Sequence, residues 1–369
     1  MSELKHSTLG ASASHRWLAC PGSVNAERGL PDTPSAFAEW GTAAHDAAEK
    51  ALTGKTNLDD LSDREMADCV MVYTDYVQAL SVGADLVLIE QRVNYSDWVP
   101  GGFGTADAII VRGNALYVSD LKTGMGVQVH AEDNSQGMLY ALGAYAEVGH
   151  IVDIDRVCIS IVQPRLDHIS EWEVSVDDLL QWAEWVTQRA EATRAKDAPR
   201  HPGERQCRFC KAKHNCKALA DHVSSVLLTG FDNLDQLPNP DTLSDEQIGA
   251  ALSSKGLIDG WMNAVTSHVA GRLESGDGFP GFKLVAGRSS RSWIDEDLAE
   301  AKLVNMIGPS KATVTKVITP AQAEKALGAK RKAEVSDMIS TSPGKPTLAP
   351  DSDKRPAIGV AIDDFDVVE

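Results

Sequence analysis

FGTADAIIVRGNALYVSDLK, residues 103–122, decides how the chain reads. It holds two β-rich runs, FGTADAIIV (103–111) and ALYVSDLK (115–122), joined across Gly113–Asn114, a pair that admits the positive φ of a tight hairpin. Such a hairpin brings Asp107 beside Asp120. Asp120 and Lys122 are two residues apart, so on a strand they project from one face. Two carboxylates converging at strand ends make a hard-oxygen site suited to Mg²⁺ or Mn²⁺. An ion there can activate water and stabilise charge on a phosphoryl oxygen. Lys122 beside it can orient the water or neutralise developing charge. A bare D-x-K is usually an exposed ion pair, so the neighbours decide.

Upstream, LVLIEQRV (86–93) is a third β-rich run and carries Glu90. Glu90 is one of the neighbours that shift the reading of D-x-K, and the weakest of them, because an acid on a half-exposed strand is ordinarily only solvated. Before it, 63–82 is an amphipathic helix, and 35–52 is a helix interrupted near Gly41 that carries His45 in GTAAH. Downstream, a helix over 134–148 sets Gln136 and Tyr140 one turn apart on a single face. A strand at 155–163 and a Trp-rich helix at 177–196 follow. This order gives an α/β fold with a mixed central sheet flanked by helices.

CRFCKAKHNC (207–216) closes that unit with Cys207, Cys210 and Cys216 in C-x2-C-x5-C spacing. Two completions are open. His214 would close a compact zinc knuckle, whereas a distant thiol would make an all-thiolate site suited to a [4Fe–4S] cluster. Cys69 lies on the apolar side of a helix and Cys158 in a buried-type strand, so both read as core. Cys20, in SASHRWLACPGS, stands apart from any such pattern.

The 369 residues are 43% hydrophobic, enough for a substantial core, with a net charge of −18. That charge argues against a protein that coats nucleic acid. It is uneven, though: from Arg189 to Lys217 there are nine Lys/Arg against three acids. Arg205, Arg208, Lys211 and Lys213 are the candidates there for backbone phosphates, the competing reading being a solvated face. No apolar run approaches a membrane span, and the N-terminal segment lacks the apolar stretch of a secretory signal. The expectation is a cytoplasmic protein without membrane partners, whose cysteines hold metal or pack rather than pair. Residues 226–275 look helical; Trp261 and Trp293 read as core. The last stretch, rich in Pro, Gly, Ser and charge and ending DDFDVVE, reads as an extended acidic tail. The expected division is 1–225, a mainly helical accessory region 226–335, and a flexible tail 336–369.

The ordered set His45, Asp107, Asp120-Leu121-Lys122 and Gln136-x3-Tyr140 resembles the RecB-like branch of the PD-(D/E)XK nuclease superfamily. The resemblance implies a restriction-endonuclease-like core in which His45, Asp107, Asp120 and the Leu121 carbonyl ligate Mg²⁺ or Mn²⁺. It implies that Lys122 assists catalysis and that Gln136 and Tyr140 shape the site or touch DNA. The cysteine arrangement is similar to that of AddB and the CRISPR-adaptation exonucleases, which implies a [4Fe–4S] cluster on Cys20, Cys207, Cys210 and Cys216, with Zn²⁺ and His214 as the alternative. Nearly the whole chain, through PGFKLVAGRSSRSW and PTLAPDSDKRPAI, also resembles a phage and prophage family of unknown function. Together these imply a metal-dependent DNA exonuclease in phage recombination or replication inside a bacterial host, with DNA and a single-strand annealing or recombination protein as partners. The competing expectations are a non-catalytic DNA-binding or assembly factor that keeps the fold, and a zinc-binding adaptor.

Overall fold

The computed structural model describes residues 7–31, 36–228 and 244–283. Short helices α1 (Ser14–Ala19) and α2 (Gly22–Glu27) lead into the long helices α3 (Ala36–Leu52) and α4 (Arg64–Leu80). Strands β1 (Leu86–Asn94), β2 (Phe103–Arg112) and β3 (Ala115–Leu121) follow, then α5 (Ser135–Val148), β4 (Arg156–Gln163), β5 (His168–Ser175) and α6 (Val176–Ala192). The helices begin where polar side chains relieve their first free N–H groups. Asp63 accepts from Met66 N, Asn134 from Gly137 N and Ser175 from Asp178 N. Each such cap contributes about 1 kcal/mol.

The five strands form one sheet in the order β1-β2-β3-β4-β5. Neighbours are antiparallel except β3 and β4, which run parallel because α5 carries the chain back across the sheet. The expected α/β class, the mixed sheet and the hairpin are all present, with Gly113 at φ +59° in the turn. β5 was not expected. Gln163–Pro164 looks like the end of a strand, yet a 3₁₀ turn through Leu166 and Asp167 at φ +49° reverses the chain into HISEWEVS.

Gly41 does not interrupt α3. A side chain there would place its Cβ 2.9 Å from Thr123 Oγ1, so the glycine lets the helix lie against the chain just beyond Lys122. The sheet buries both faces, as a three-layer α/β/α packing requires. Against one face lie Trp17 and Leu18 of α1, Leu139 and Leu142 of α5, and Leu179 and Val186 of α6. Against the other lie Ala44, Ala47 and Ala48 of α3 with Met66, Val70, Tyr73 and Val77 of α4. Each large aliphatic side chain so buried contributes about 1.5–3 kcal/mol.

One level of the sheet breaks the alternation. On β2, Ala106 faces the α5 layer, Ala108 and Ile110 the α3–α4 layer, and Ile109 and Val111 the α5 layer again. On β1, Leu88 packs on the α5 layer, Ile89 on the opposite one, and Val93 again on the α5 layer. Both strands therefore slip by one residue, and the ladder passes over Glu90 and Asp107 at that level. Glu90 sits at φ +49°, a left-handed conformation rare for a non-glycine residue. Strain of this kind costs about 1–3 kcal/mol and gathers at functional sites.

The cysteine segment forms α7 (Glu204–Arg208), a 3₁₀ turn Lys211–Asn215 and α8 (Lys217–Leu228). Helix α9 (Asp245–Glu274) packs on it through Leu257, Ile258 and Trp261, which rest against Cys207, Leu219 and Val223. The described residues all fall within one compact unit, Met1–Val285. Residues 229–243 and 284–369, including Trp293 and the tail, lie outside the described residues. Among the described residues no helix is long and apolar enough to cross a membrane.

Candidate functional site

The hairpin and the two helices across it deliver the expected residues to one place. Asp107 and Asp120 are buried, at 9% and 2% exposure. His45, one turn below Gly41 on α3, puts Nδ1 3.2 Å from Asp107 Oδ1. The other oxygen, Oδ2, accepts the Leu121 backbone N–H at 2.7 Å. That bond fixes the carboxylate with Oδ1 turned to the histidine.

Asp120 faces the α5 side. Its Oδ1 accepts from Gln136 Nε2 at 2.8 Å, and its Oδ2 lies 2.6 Å from Lys122 Nζ. This second contact is close as an ion pair but is not angled as a hydrogen bond, so Oδ2 keeps an unused lone pair. Lys122 instead donates to Gln136 Oε1 at 3.0 Å. The Tyr140 hydroxyl accepts from Gln136 Nε2 at 3.3 Å, and its ring lies on Gly104, where a Cβ would be 2.7 Å from Cε1. The amide is thus held in a single orientation between a carboxylate, an ammonium and a phenol. Tyr73, fully buried under the sheet, donates to Ser119 O and ties α4 to the strand carrying Asp120.

The electrostatics follow from burial. Desolvation raises the Asp120 carboxyl above the ordinary carboxylate range, Lys122 draws it back, and Asp107 adds to the rise. Burial pulls His45 down, but the hydrogen bond and charge of Asp107, with the charge of Asp120, leave it raised. Burial, then the charge of Asp107, pushes Glu90 up to about 7.

Glu90 is therefore no solvated bystander. Its carboxylate, His45 and Asp107 offer ligand atoms that all lie within 4.8 Å of one another, a grouping unique among the described residues. Asp120, expected with His45, Asp107 and the Leu121 carbonyl among the ligands, is not in this grouping; its carboxylate turns toward Lys122 and Gln136. The positive φ of Glu90 aims that residue into the grouping, a backbone feature that no residue pattern announces. The donor set of one imidazole and two carboxylates fits a hard divalent ion.

The four cysteines of the sequence expectation come together at the other end of α1. Cys20, Cys207, Cys210 and Cys216 line one cavity together with Pro202, Ala212 and Leu219. Cys20 Sγ accepts from His201 N at 3.3 Å and Cys207 Sγ from Gly203 N at 3.5 Å. His214 is absent from this lining; its ring stacks on His268 of α9 at 4.4 Å. Cys69 is buried as expected, whereas Cys158 is only half-buried, beside Glu173 at the sheet edge.

Of the basic stretch, Arg205, Arg208 and Lys211 are exposed. Lys213 instead donates to Arg208 O at 2.8 Å, and Arg189 donates to Leu18 O and Ala19 O, holding the end of α1.

Among solved structures the chain is similar to one named "Crystal structure of SSO0001", at 16% identity and a TM-score of 0.28, over 59% of this chain and 90% of that one. A likeness this slight has no bearing on the fold. The family model described as "Protein of unknown function (DUF2800)" matches residues 6–356, and the chain belongs to that family.

Proposed function

We propose that the chain is a metal-dependent deoxyribonuclease of the PD-(D/E)XK superfamily, RecB-like branch, acting as an exonuclease on phage DNA in recombination or replication. The observation that carries the reading is the connected set His45–Asp107 and Asp120–Lys122–Gln136–Tyr140, with Glu90 at its edge, in which Asp107, Lys122, Gln136 and Tyr140 are each held by a named partner. An ordinary surface D-x-K pair has no such set of partners.

A divalent ion held by His45, Glu90 and Asp107, with the spare lone pair of Asp120 Oδ2 adjoining, would polarise a phosphoryl oxygen and acidify a water. The chain supplies the rest. Lys122, held by Asp120 and the Gln136 carbonyl, presents its ammonium where charge develops on a phosphate. Gln136 fixes both partners of that pair, and Tyr140 fixes Gln136. Leu121 N–H holds Asp107 in one rotamer. DNA is the substrate, with a single-strand annealing or recombination protein as the partner implied by a phage setting.

For the cysteines, the reading is a [4Fe–4S] clasp on Cys20, Cys207, Cys210 and Cys216, with Zn²⁺ the alternative. The shared cavity and the engagement of His214 with His268 support it. No three of the four sulfurs fall within 4.8 Å of one another.

The test is purification without oxygen, quantitation of iron, sulfide and zinc, and assay on linear and circular DNA with Mg²⁺ or Mn²⁺. Linear DNA degraded by wild type but not by Asp120→Ala or Lys122→Ala supports the assignment. Activity surviving both substitutions sinks it. Iron-loaded wild type that binds DNA without cutting it favours the non-catalytic assembly factor.

A further inference from the structure

The loop of residues 123–131 leads from Lys122 toward the helix that carries Gln136, and side chains of β4, β5 and the turn between them fix its backbone. Gln163, 1% exposed, commits its whole amide to this loop. Its Nε2 donates to Gly124 O at 2.6 Å and to Val127 O at 2.8 Å, and its Oε1 accepts from Val129 N at 3.0 Å. Arg165, paired with Glu65, donates to Thr123 O at 3.3 Å. Ser170 Oγ accepts from Ala131 N at 2.9 Å, and the His168 ring nitrogens lie 3.0 Å from Val129 O and 2.9 Å from Gln128 Nε2.

The tip of the loop is nevertheless in water. Gly124 O and Val127 O converge on one nitrogen, so the chain between them, Met125 and Gly126, bulges away from Gln163. Met125 is 50% exposed and Val127 40%. A single exposed apolar side chain is ordinary, but these two stand on a backbone held along its length. The glycines on either side of Met125 are a second observation. Neither Gly124 nor Gly126 takes a positive φ, and a Cβ on either would meet nothing within 4 Å. No turn and no packing contact requires them. They leave bare backbone on both flanks of one apolar side chain, which lets a ligand come close. Met125 is three residues from Lys122, so the two Cα atoms are at most about 11 Å apart. A strand whose phosphate meets the Lys122 ammonium carries its bases within reach of that side chain. A base presents a flat apolar face, and a thioether sulfur packs favourably against aromatic rings.

We propose that Met125, flanked by Gly124 and Gly126, is a nucleobase subsite: it packs on the face of a base in the DNA strand held at Lys122, and Gln163 is the positioning residue that keeps it there. The inference rests on the nuclease reading and adds a base contact to a site otherwise built for phosphate and metal. Such a contact has no hydrogen-bond code, so it accepts every base, and it favours a single strand, whose base faces are open. Gln163 stands outside every motif that marks the site in the sequence, and only the folded loop gives its buried amide a purpose.

The experiment uses the full-length protein with its cysteine site loaded as purified. Two fluorescein-labelled strands of equal length are titrated by anisotropy with Ca²⁺ in place of Mg²⁺: oligo-dT, and the same phosphate backbone built from abasic tetrahydrofuran units. Wild type is expected to bind oligo-dT more tightly. Met125→Ala is expected to weaken oligo-dT about fivefold and to leave the abasic strand unchanged. The slope of log K against log salt holds, because no phosphate contact is lost. Met125→Leu keeps most of the preference for bases. Gln163→Leu loses that preference without weakening the abasic strand, a split that lost stability alone does not produce. With Mg²⁺, KM for cleavage of oligo-dT rises in Met125→Ala. Met125 is exposed, so its alanine variant keeps the wild-type melting temperature and decides the matter if Gln163→Leu does not fold. Wild type that binds both strands alike overturns the proposal. So does Met125→Ala with wild-type affinity for oligo-dT, or with equal losses on the two strands; in a protein that cuts DNA, these results leave the nuclease reading intact. Base-dependent binding that Met125→Ala removes, in a protein that cuts nothing with Mg²⁺ or Mn²⁺, supports the subsite and removes the nuclease reading instead.

Discussion

Replacing Lys122 with methionine keeps the aliphatic stem and removes the charge, which isolates what the ammonium does for Asp120. The Asp120 side chain is 3% exposed and its cation stands 2.6 Å away. At an effective dielectric of about 20 that contact amounts to roughly 6 kcal/mol. The protein cannot lose that much, because the orphaned carboxyl escapes by binding a proton. The escape costs about 1.4 kcal/mol for each pH unit above an ordinary pKa near 3.9, so the ceiling is about 3 kcal/mol at pH 6 and about 4 at pH 7. The sign is fixed. Burial already raises Asp120, and losing Lys122 raises it further. An acid with a raised folded pKa favours the native state at low pH and costs stability as pH rises through that value. Urea unfolding followed by tryptophan fluorescence, in EDTA at pH 5, 6 and 7, should show the deficit of Lys122→Met growing with pH. The double variant Asp120→Asn, Lys122→Met should recover most of it. A deficit that is constant across pH, or one that Asp120→Asn does not relieve, refutes the reasoning.

The same linkage applies to Glu90, raised to about 7 by burial and Asp107. Its stabilising protonated form is complete below about pH 4.5 and lost as pH climbs to 7, so in EDTA the melting temperature of Glu90→Gln should exceed that of wild type increasingly over that window. Gly104→Ala puts a Cβ 2.7 Å from the Tyr140 ring; the ring must move and take Gln136 with it, which should cost about 1–3 kcal/mol in thermal stability and lower kcat on linear DNA. Cys20→Ser should abolish the iron content of anaerobically purified protein, whereas His214→Ala should leave it unchanged. Zinc in place of iron, lost with His214→Ala, would restore the knuckle.

Much of the sheet is legible because its strands obey rules that operate over a few residues. Gly113–Asn114 supplies the turn, and Asp120 and Lys122 share a face whatever surrounds them. HISEWEVS also alternates, with Ser170, Trp172 and Val174 on the inner side and Ile169, Glu171 and Glu173 exposed. Its charged outer face and the Pro-Arg-Leu-Asp turn before it hide a strand that serves as an edge. The supposed break in α3 at Gly41 arises because glycine signals weakness only in isolation; here it answers Thr123, a contact that exists only after folding. Glu90 is illegible for a related reason. Its role depends on a backbone conformation set by two strands slipping together, and no local pattern encodes the pair. Cys20 reaches the cavity lined by the distant triplet only once α1 and α7 pack.

The slip at Glu90 and Asp107 also limits how this sheet can change. Deleting either residue alone would leave one strand's outer half facing the wrong layer, apolar side chains in water and polar ones inside. Deleting both would restore an unbroken pleat in register and relieve the positive φ, while removing two of the three groups gathered at His45. A more stable sheet is thus two codons away, and it is a sheet without a site. Retaining both residues means retaining a local defect that folding alone would discard.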